Sequence, residues 1–289
     1  MMKQTSTRRA LLRSAAATFA LPALGLRAQE LQDLDKVRAA GVLKVALYKD
    51  NAPYSDGKGN ELAGVDVALA QGLARELDLK LQLLPFDAGE NMGDDLRNMV
   101  WKGHYLGYGP ADVMLHVPAD KHLVRQNPQV LLFGPYARES LVVLHDRRRL
   151  PAVLGGTDLL KLPLGAERGS GAASALIGFQ GGLLRSQVSF FDNGVQAADA
   201  VIRGDIAAAY VSRAQAETAL FRRSASGETY QLSELSLPGL QDQGWPLGMA
   251  TKSSHRALAG ALEDALKRLR DKGELVAMFR ERGLTLVAP

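Results

Sequence analysis

The chain has 289 residues, with 35 Lys and Arg against 31 Asp and Glu and a formal net charge of +4. It contains no cysteine, which excludes disulfides, thiolate nucleophiles and cysteine-ligated metal or iron–sulfur sites. Residues 1–28 hold five basic side chains and no acid, and without them 30 basic residues face 31 acidic ones. A balance of about −1 gives no reason to expect nucleic-acid binding.

Residues 1–28 have the pattern of a cleavable export signal. A basic segment with Arg8 and Arg9 precedes 13 uncharged residues, 14–26, and the small residue Ala28 follows. A helix of that length at 1.5 Å per residue is too short for a bilayer core of about 30 Å. The paired arginines favour the twin-arginine export route. We therefore expect a periplasmic protein whose signal is cleaved near Ala28.

The first half of the mature chain alternates predicted strands and helices. Apolar runs predict strands at 42–47, 81–86 and 112–117. Apolar residues spaced by three and four predict helices from Val65 and over 94–102. This order of elements implies right-handed crossovers and a parallel sheet.

The same alternation restarts after Arg149. Strands are predicted at 162–166, 189–191 and 206–211, and helices from Ala172 and at 195–203, the latter ending at Gly204. An apolar stripe that includes Leu258, Leu262 and Leu266 predicts an amphipathic helix before Gly273, with a shorter helix after it. The extended-looking segments 133–136 and 244–248 suit crossings between two α/β lobes.

Six short segments occur in one order along the chain: 41–45 (GVLKV), 53–55 (PYS), 64–70 (GVDVALA), 134–136 (GPY), 167–170 (ERGS) and 204–208 (GDIAA). Together they resemble motifs of the family 3 extracellular solute-binding proteins, the periplasmic receptors of polar amino-acid uptake systems. The resemblance covers nearly all of residues 40–285.

The resemblance implies the type II periplasmic binding protein fold, an α/β fold of two lobes, each a mainly parallel sheet flanked by helices. Lobe 1 would comprise 30–134 and 249–289, and lobe 2 would comprise 138–244, with hinges near 134–138 and 244–248. A small molecule would bind in the cleft as the hinge closes. A membrane ABC permease would then be the partner of a monomeric receptor.

Two ligand contacts of that family have no counterpart at the matching positions. Its carboxylate-clamping arginine is expected soon after the third strand, where this chain reads HVPADKH over 116–122, with no arginine before Arg125. Tyr210 stands where the family has an ammonium-binding aspartate. Neither a lone lysine nor a phenol replaces those groups, so the expected ligand is not an ordinary amino acid.

The sequence HVP at 116–118 and the aromatic residue Tyr210 are instead similar to a divergent branch. Its members are binding-protein-like accessory proteins of periplasmic quinoprotein alcohol (methanol) dehydrogenases. This similarity implies an alternative function, an accessory protein of the same fold whose partner is such a dehydrogenase. A second alternative is a cleft enzyme such as a dehydratase; no hydrolase elbow, zinc-protease motif or phosphate-binding loop occurs, and we expect no catalysis.

The matching positions supply a set of candidate ligand-binding residues: Tyr54, His116, Lys121, Tyr136, Arg168, Gly169, Ser170, Tyr210 and Trp245. The turn at 167–171 precedes a helix, so its backbone N–H groups could hold an anion, or Ser170 could act only as a helix cap. The tyrosines and Trp245 could line the cleft or belong to the core.

The segment 101–110 is unusually rich in aromatic residues and glycine. Trp101, His104, Tyr105 and Tyr108 could bind a partner or border the cleft, or the loop could pack on itself. The sequence leaves open whether the insertion at 104–110 overhangs the cleft or lies at the opposite end of the sheet. His104, His116 and His122 lack the close pairing typical of zinc sites, so we expect no metal and no cofactor.

Overall fold

A computed structural model describes residues 33–57, 61–240 and 244–289, and the predicted export signal lies outside these ranges. The strands are β1 Val42–Tyr48, β2 Asp50–Asn51, β3 Ser55–Asp56, β4 Lys80–Phe86, β5 Val113–Pro118, β6 Val130–Glu139, β7 Leu141–Asp146, β8 Leu164–Glu167, β9 Val188–Phe191, β10 Ala208–Ser212, β11 Tyr230–Glu234 and β12 Trp245–Lys252. The α-helices are α1 Asp33–Ala40, α2 Val65–Glu76, α3 Met92–Leu96, α4 Lys121–Gln126, α5 Gly171–Gly178, α6 Gly194–Arg203, α7 Arg213–Arg222, α8 Arg256–Asp271 and α9 Glu274–Arg280.

The predicted strands and helices are confirmed within about two residues at most of their ends. Gly204 adopts the left-handed conformation just after α6, as predicted for a helix C-terminus. The segment predicted as a helix over 94–102 differs, because α3 is continued by a π-helical turn over Arg97–Trp101. That wider turn still buries Met99 and Val100 against the sheet.

The first sheet has the strand order β4-β1-β5-β12-β6, and the second has the order β11-β7-β10-β8-β9. Three strands of each sheet are parallel: β1 with β4 and β5, and β8 with β9 and β10. The other strands pair in antiparallel fashion, β12 with β5 and β6, and β7 with β10 and β11. Since β12 and β7 are the strands that run opposite to their neighbours, four of the five strands in each sheet point the same way, and the expectation of mainly parallel sheets flanked by helices is confirmed.

The core of the first sheet is covered by α2 and by the C-terminal helices. Leu69 of α2 and Leu262 and Leu266 of α8 are buried in one cluster with Val45 and Val113 of the sheet. This burial follows from the amphipathic spacing of α8, whose apolar stripe needs a sheet or helix to cover it. Among the described residues, no helix has both the length and the apolar character required to cross a membrane.

The chain passes from the first sheet to the second at Ser140. Strand β6 stays paired with β12 as far as Glu139, and β7 of the second sheet begins at Leu141. The return passage lies between β11 and β12. The two connections between the sheets are thus at residue 140 and before Trp245, and the lobe and hinge boundaries stay a prediction.

Candidate functional site

A cavity of about 390 Å³, called here the main cavity, is lined by residues from both sheets. Its lining consists of Asn51, Ala52, Tyr54, His116, Glu139, Leu141, Glu167, Ser170, Gly171, Ala172, Tyr210, Val211, Ser212, Gln215, Leu240 and Trp245. Small-molecule sites commonly have volumes of about 300–1,000 Å³ and mostly apolar walls with a few polar groups. The main cavity fits that description.

A second cavity of about 340 Å³, called here the side cavity, adjoins the first at the ends of β1 and β4. It is lined by Tyr48, Lys49, Asp50, Asn51, Phe86, Asp87, Ala88, His116 and Glu167. Asn51, His116 and Glu167 line both cavities. These three residues therefore lie at the boundary between the two cavities.

A β-bulge directs His116 toward the cavities. Strands β5 and β12 pair at Val117 with Gly248 and next at Met114 with Ala250. Between these two positions β12 advances by two residues while β5 advances by three. His116 lies in that stretch with a φ of +62°, a conformation that is uncommon for a residue other than glycine. Its N–H donates to the Tyr136 hydroxyl at 3.1 Å. Bulges commonly re-aim a side chain in this way, often beside a functional site.

A second bulge, in β6, brings Tyr136 beneath His116. Strands β6 and β12 pair at Ala137 with Leu247 and next at Phe133 with Met249. Between them β12 advances by two residues and β6 by four, which leaves residues 134–136 outside the regular ladder. Tyr136 is fully buried, and its hydroxyl donates to Asp66 Oδ1 at 2.7 Å. Burial, followed by the nearby Asp66, raises the pKa of Tyr136 well above its usual value of 10.0. The phenol therefore stays protonated and acts as a donor.

Asp66 is the buried anchor of this arrangement. It lies in the first turn of α2 with no exposed surface, where the partial positive charge of the helix N-terminus favours a carboxylate. His116 Nδ1 is 3.0 Å from Asp66 Oδ2, so Asp66 receives hydrogen bonds from two neighbours, Tyr136 and His116. Because a carboxylate only accepts, His116 Nδ1 donates, and its Nε2 is the ring nitrogen left for a ligand.

Tyr54 and Glu139 form a second buried pair on the cavity wall. The Tyr54 hydroxyl donates to Glu139 Oε2 at 2.7 Å, and the Ser140 N–H donates to Oε1 at 2.9 Å. The Tyr54 ring centroid lies 4.4 Å from that of His116. Burial, followed by Glu139, raises the pKa of Tyr54 well above 10.0, and burial raises the pKa of Glu139 above 4.5. The ring contact between Tyr54 and His116 thus joins the hydrogen-bonded group at Asp66 to the pair of Tyr54 and Glu139.

The wall contributed by the second sheet is built around Glu167 at the end of β8. Glu167 Oε2 accepts from the Gly194 N–H at 3.0 Å and from Gln215 Nε2 at 2.8 Å. Gln215 belongs to a capping box with Ser212 that starts α7. Ser170 caps α5, since its Oγ accepts from the Ala173 N–H at 3.1 Å. These hydrogen bonds fix the polar side chains that face the first sheet.

The predicted ligand-binding residues divide into two groups. The structure brings together at the main cavity Tyr54, His116, Ser170, Tyr210 and Trp245. It places outside both cavities Lys121, Tyr136, Arg168 and Gly169. Lys121 is exposed at the start of α4, whereas Tyr136 supports the site from within the core. The Arg168 guanidinium lies 5.8 Å from the centre of the Phe190 ring, and Arg168 is not among the lining residues of either cavity.

The aromatic segment 101–110 lines neither cavity. Trp101 packs against the cluster beneath the first sheet, and the His104 ring stacks on that of Tyr108 with centroids 4.2 Å apart. Tyr105 and Leu106 remain 87% and 68% exposed. The loop therefore packs partly on itself and presents an apolar tip to solvent. Within the described ranges, no group of three or more His, Cys, Asp or Glu residues could hold a metal ion.

Several residues that line or support the cavity were not predicted from the sequence, above all Asp66, Glu139, Glu167 and Gln215. Asp66 and Glu167 belong to two of the six family-like segments but received no role of their own. Ser212 and Gln215 carry a signal that could have been found, because Ser-x-x-Gln is a capping-box pattern and predicts a helix start at residue 213. Glu139 carries no local signal.

The raised pKa of Glu139 leads to a prediction about stability and pH. A carboxyl whose pKa is higher in the folded chain contributes stability that is fully present below about 4.5, the unfolded value, and is lost as pH rises through the folded pKa. Glu139→Gln removes the charge and keeps an acceptor for the Ser140 N–H. We therefore expect this variant to become more stable relative to wild type as pH rises from 4 to 8, by at most about 1.4 kcal/mol per pH unit.

Urea unfolding at several pH values measures this difference. Glu228→Gln is the matched control, because it removes one carboxylate from an exposed turn outside the cavities. The control should follow the wild-type curve. A constant difference between Glu139→Gln and wild type across the pH range would contradict the account of Glu139.

Comparison with known proteins shows the fold. A scan against protein-family models gave no match, and a search of curated protein sequences gave none. Solved structures do match, among them an ancestral cationic amino acid solute-binding protein (AncCDT-1), with a TM-score of 0.65 at 18% identity over 86% of this chain and 99% of that one. Another structure of AncCDT-1 describes it as a precursor of cyclohexadienyl dehydratase.

Two bacterial proteins are similar to the chain to a comparable degree. A polar amino acid ABC uptake transporter substrate-binding protein from Streptococcus thermophilus has a TM-score of 0.65 at 15% identity, covering 89% of this chain and 92% of its own. An amino acid ABC transporter substrate-binding protein from Streptococcus pneumoniae, bound to L-arginine, has a TM-score of 0.61 at 20% identity, covering 89% and 100%. The chain thus has the α/β fold of type II periplasmic binding proteins, with helices flanking both sheets.

Proposed function

We propose that this chain is an exported solute-binding protein that captures one small molecule, other than an ordinary amino acid, in the main cavity. The observation that carries the proposal is the cavity itself, whose polar groups come from both sheets. A ligand that contacts both walls would favour a closed arrangement of the two sheets about the passages at residue 140 and before Trp245. We further propose that the chain is a monomer and delivers its ligand to a membrane ABC permease.

The proteins of the same fold support binding over catalysis, since the three compared above are named as solute- or substrate-binding proteins. Their bound amino acids do not transfer to this chain, because the likeness lies below 25% identity. The exclusion of ordinary amino acids follows from the charges of the main cavity, where no lysine or arginine is present among the described lining residues. A ligand carboxylate would therefore find no fixed cation there.

A thermal-shift screen of the mature chain against a broad set of metabolites tests the proposal. A true ligand at a hundredfold excess over its Kd should stabilise the folded chain by about 2.7 kcal/mol and raise the Tm accordingly. The ligand should be recovered chemically unchanged after incubation. No shift with any metabolite, or a shift with common amino acids alone, would contradict the proposal, and a converted ligand would identify an enzyme instead.

A second candidate function is that of an accessory protein to a periplasmic quinoprotein alcohol dehydrogenase. The exposed tip of the aromatic loop, Tyr105 and Leu106, favours it, because neighbouring exposed apolar side chains can form a protein contact. Under this proposal, purified dehydrogenase binds the wild-type chain and fails to bind the double variant Tyr105→Ser, Leu106→Ser. Equal binding by both forms would remove the loop from the account.

A further inference from the structure

The charges around the two cavities are strongly unequal. The main cavity is lined by the carboxyl groups of Glu139 and Glu167 and by the imidazole of His116. The side cavity adds Asp50 and Asp87, together with Lys49, whose Nζ lies 2.7 Å from Asp87 Oδ2. Among the described lining residues, four carboxyl groups thus face one ammonium group, and that ammonium group is already paired.

The rest of the main cavity is suited to an apolar ligand body. Tyr54, Tyr210 and Trp245 contribute aromatic rings, and Leu141, Val211 and Leu240 contribute aliphatic side chains. The Tyr210 hydroxyl donates to the Leu235 carbonyl at 2.8 Å, and the Tyr54 hydroxyl donates to Glu139, so neither ring needs a ligand to satisfy it. Aromatic faces also attract organic cations, most strongly where water is excluded.

Glu139 is the carboxyl group with most to gain from a cationic partner. It is 4% exposed and has only neutral hydrogen-bond donors around it, Tyr54, Ser140 and Ser212. Burial raises its pKa, which means that its charged form is costly in the free protein. A ligand cation placed beside it would offset that cost, whereas a ligand anion would increase it.

We propose that the main cavity selects a small organic cation that carries no carboxylate, such as a primary amine with an apolar body. The cationic nitrogen binds between the carboxyl groups of Glu139 and Glu167, and the apolar body packs on Tyr54, Tyr210 and Trp245. This inference rests on the proposed binding function and names the class of its ligand.

Among the described lining residues, the start of α5 would favour an anion, and it is weaker than the opposing charges. Its backbone N–H groups, at Gly171 and Ala172, carry a partial positive charge of about half an elementary charge. Two carboxyl groups line the same cavity. The ammonium group of an amino acid would therefore strengthen its binding, and its carboxylate would weaken it. The corresponding amine has only the ammonium group, so it should bind more tightly.

Four probes of nearly one shape separate these effects: phenethylamine, L-phenylalanine, 3-phenylpropionate and 2-phenylethanol. A second set has an aliphatic body: isopentylamine, L-leucine, 4-methylpentanoate and isopentanol. Titration calorimetry of the mature chain should give each amine a Kd about 10- to 100-fold lower than its alcohol, the scale of a hydrogen bond to a charged group. Each amine should also bind at least about tenfold more tightly than its amino acid, with the acid the weakest of each set.

Two variants test whether the carboxyl groups of the main cavity cause the preference for the amine. Glu139→Gln and Glu167→Gln should each weaken amine binding about tenfold or more and leave alcohol binding unchanged. Glu228→Gln should change neither. Circular dichroism of each variant establishes that it is folded, and the use of two cavity variants keeps the test valid if one of them is not.

The inference is overturned if an amino acid binds as tightly as its amine, if the alcohol matches the amine, or if both cavity variants keep full amine affinity. Binding of an acid more tightly than its amine would overturn the cation class and leave the binding function standing. Binding by none of the eight probes would also overturn the cation class. The metabolite screen then decides separately whether the binding function holds.

Discussion

Replacing Asp66 by alanine is expected to lower the free energy of unfolding by about 3–5 kcal/mol, because two hydrogen-bond donors lose their acceptor at about 1–3 kcal/mol each. Asp66 is fully buried, and its carboxylate accepts the Tyr136 hydroxyl at 2.7 Å and lies 3.0 Å from His116 Nδ1. Alanine leaves both groups without that acceptor in the core, and it opens a cavity beneath them. Urea or thermal unfolding of the purified mature chain measures the loss.

Asp66→Asn is the matched control, because it keeps the size of the side chain and an oxygen that accepts from Tyr136. It should cost about 1–3 kcal/mol, clearly less than alanine. The asparagine amide can also turn its nitrogen toward His116, whose Nδ1 would then accept. An alanine variant as stable as wild type, or one no less stable than the asparagine variant, would contradict the role of Asp66 as the anchor of the site.

Gly244→Ala is expected to destabilise the chain by a steric conflict at the passage between the sheets. Gly244 has a φ of +68°, and a Cβ on it would lie 2.0 Å from the Glu139 carbonyl oxygen. The left-handed conformation alone costs about 1–2 kcal/mol for alanine. Displacing the Glu139 backbone adds about 1–3 kcal/mol, the range for overpacked sites, and moves the Glu139 carboxyl group on the cavity wall.

Gly41→Ala separates the two contributions. Gly41 has a φ of +67°, almost the same as Gly244, but nothing lies within 4 Å of a Cβ built on it. Gly41→Ala should therefore lower the free energy of unfolding only by the conformational contribution, about 1–2 kcal/mol. Unfolding midpoints of the two variants measure the difference, which is the contribution of the contact at Glu139. Equal losses would show that the passage between the sheets tolerates a side chain at Gly244.

The elements that could be predicted from the sequence are those with strong local patterns. The apolar spacing of α2 and α8 and the apolar runs of β1, β4 and β5 each reflect one face or one strand buried against its neighbours. The cap at Ser170 and the left-handed Gly204 are local as well. Helix α7 was missed because its buried residues are mostly alanines, which leave little apolar contrast between its faces.

The site itself depends on contacts between residues far apart in the chain. His116 and Tyr136 meet at Asp66 because two strands bulge against β12, and the spacing of apolar residues in β5 or β6 does not reveal a bulge. Glu139 lines the main cavity because β6 ends there, still paired with β12 at Trp245 and one residue before the second sheet begins at Leu141. The turn at 167–171 was placed near the cleft as a unit, but only its Glu167, Ser170 and Gly171 reach the cavity.

Calorimetric titration of the strongest ligand into the Leu240→Trp variant tests directly whether the ligand binds in the main cavity. Leu240 lines the main cavity, so an indole there would occupy ligand space, whereas Leu154→Trp adds the same group at a side chain that is 92% exposed. We expect one ligand per chain for wild type and for Leu154→Trp, with affinity at least about tenfold lower in Leu240→Trp. Undiminished binding by a correctly folded Leu240→Trp chain would show that the ligand sits elsewhere and would contradict the account.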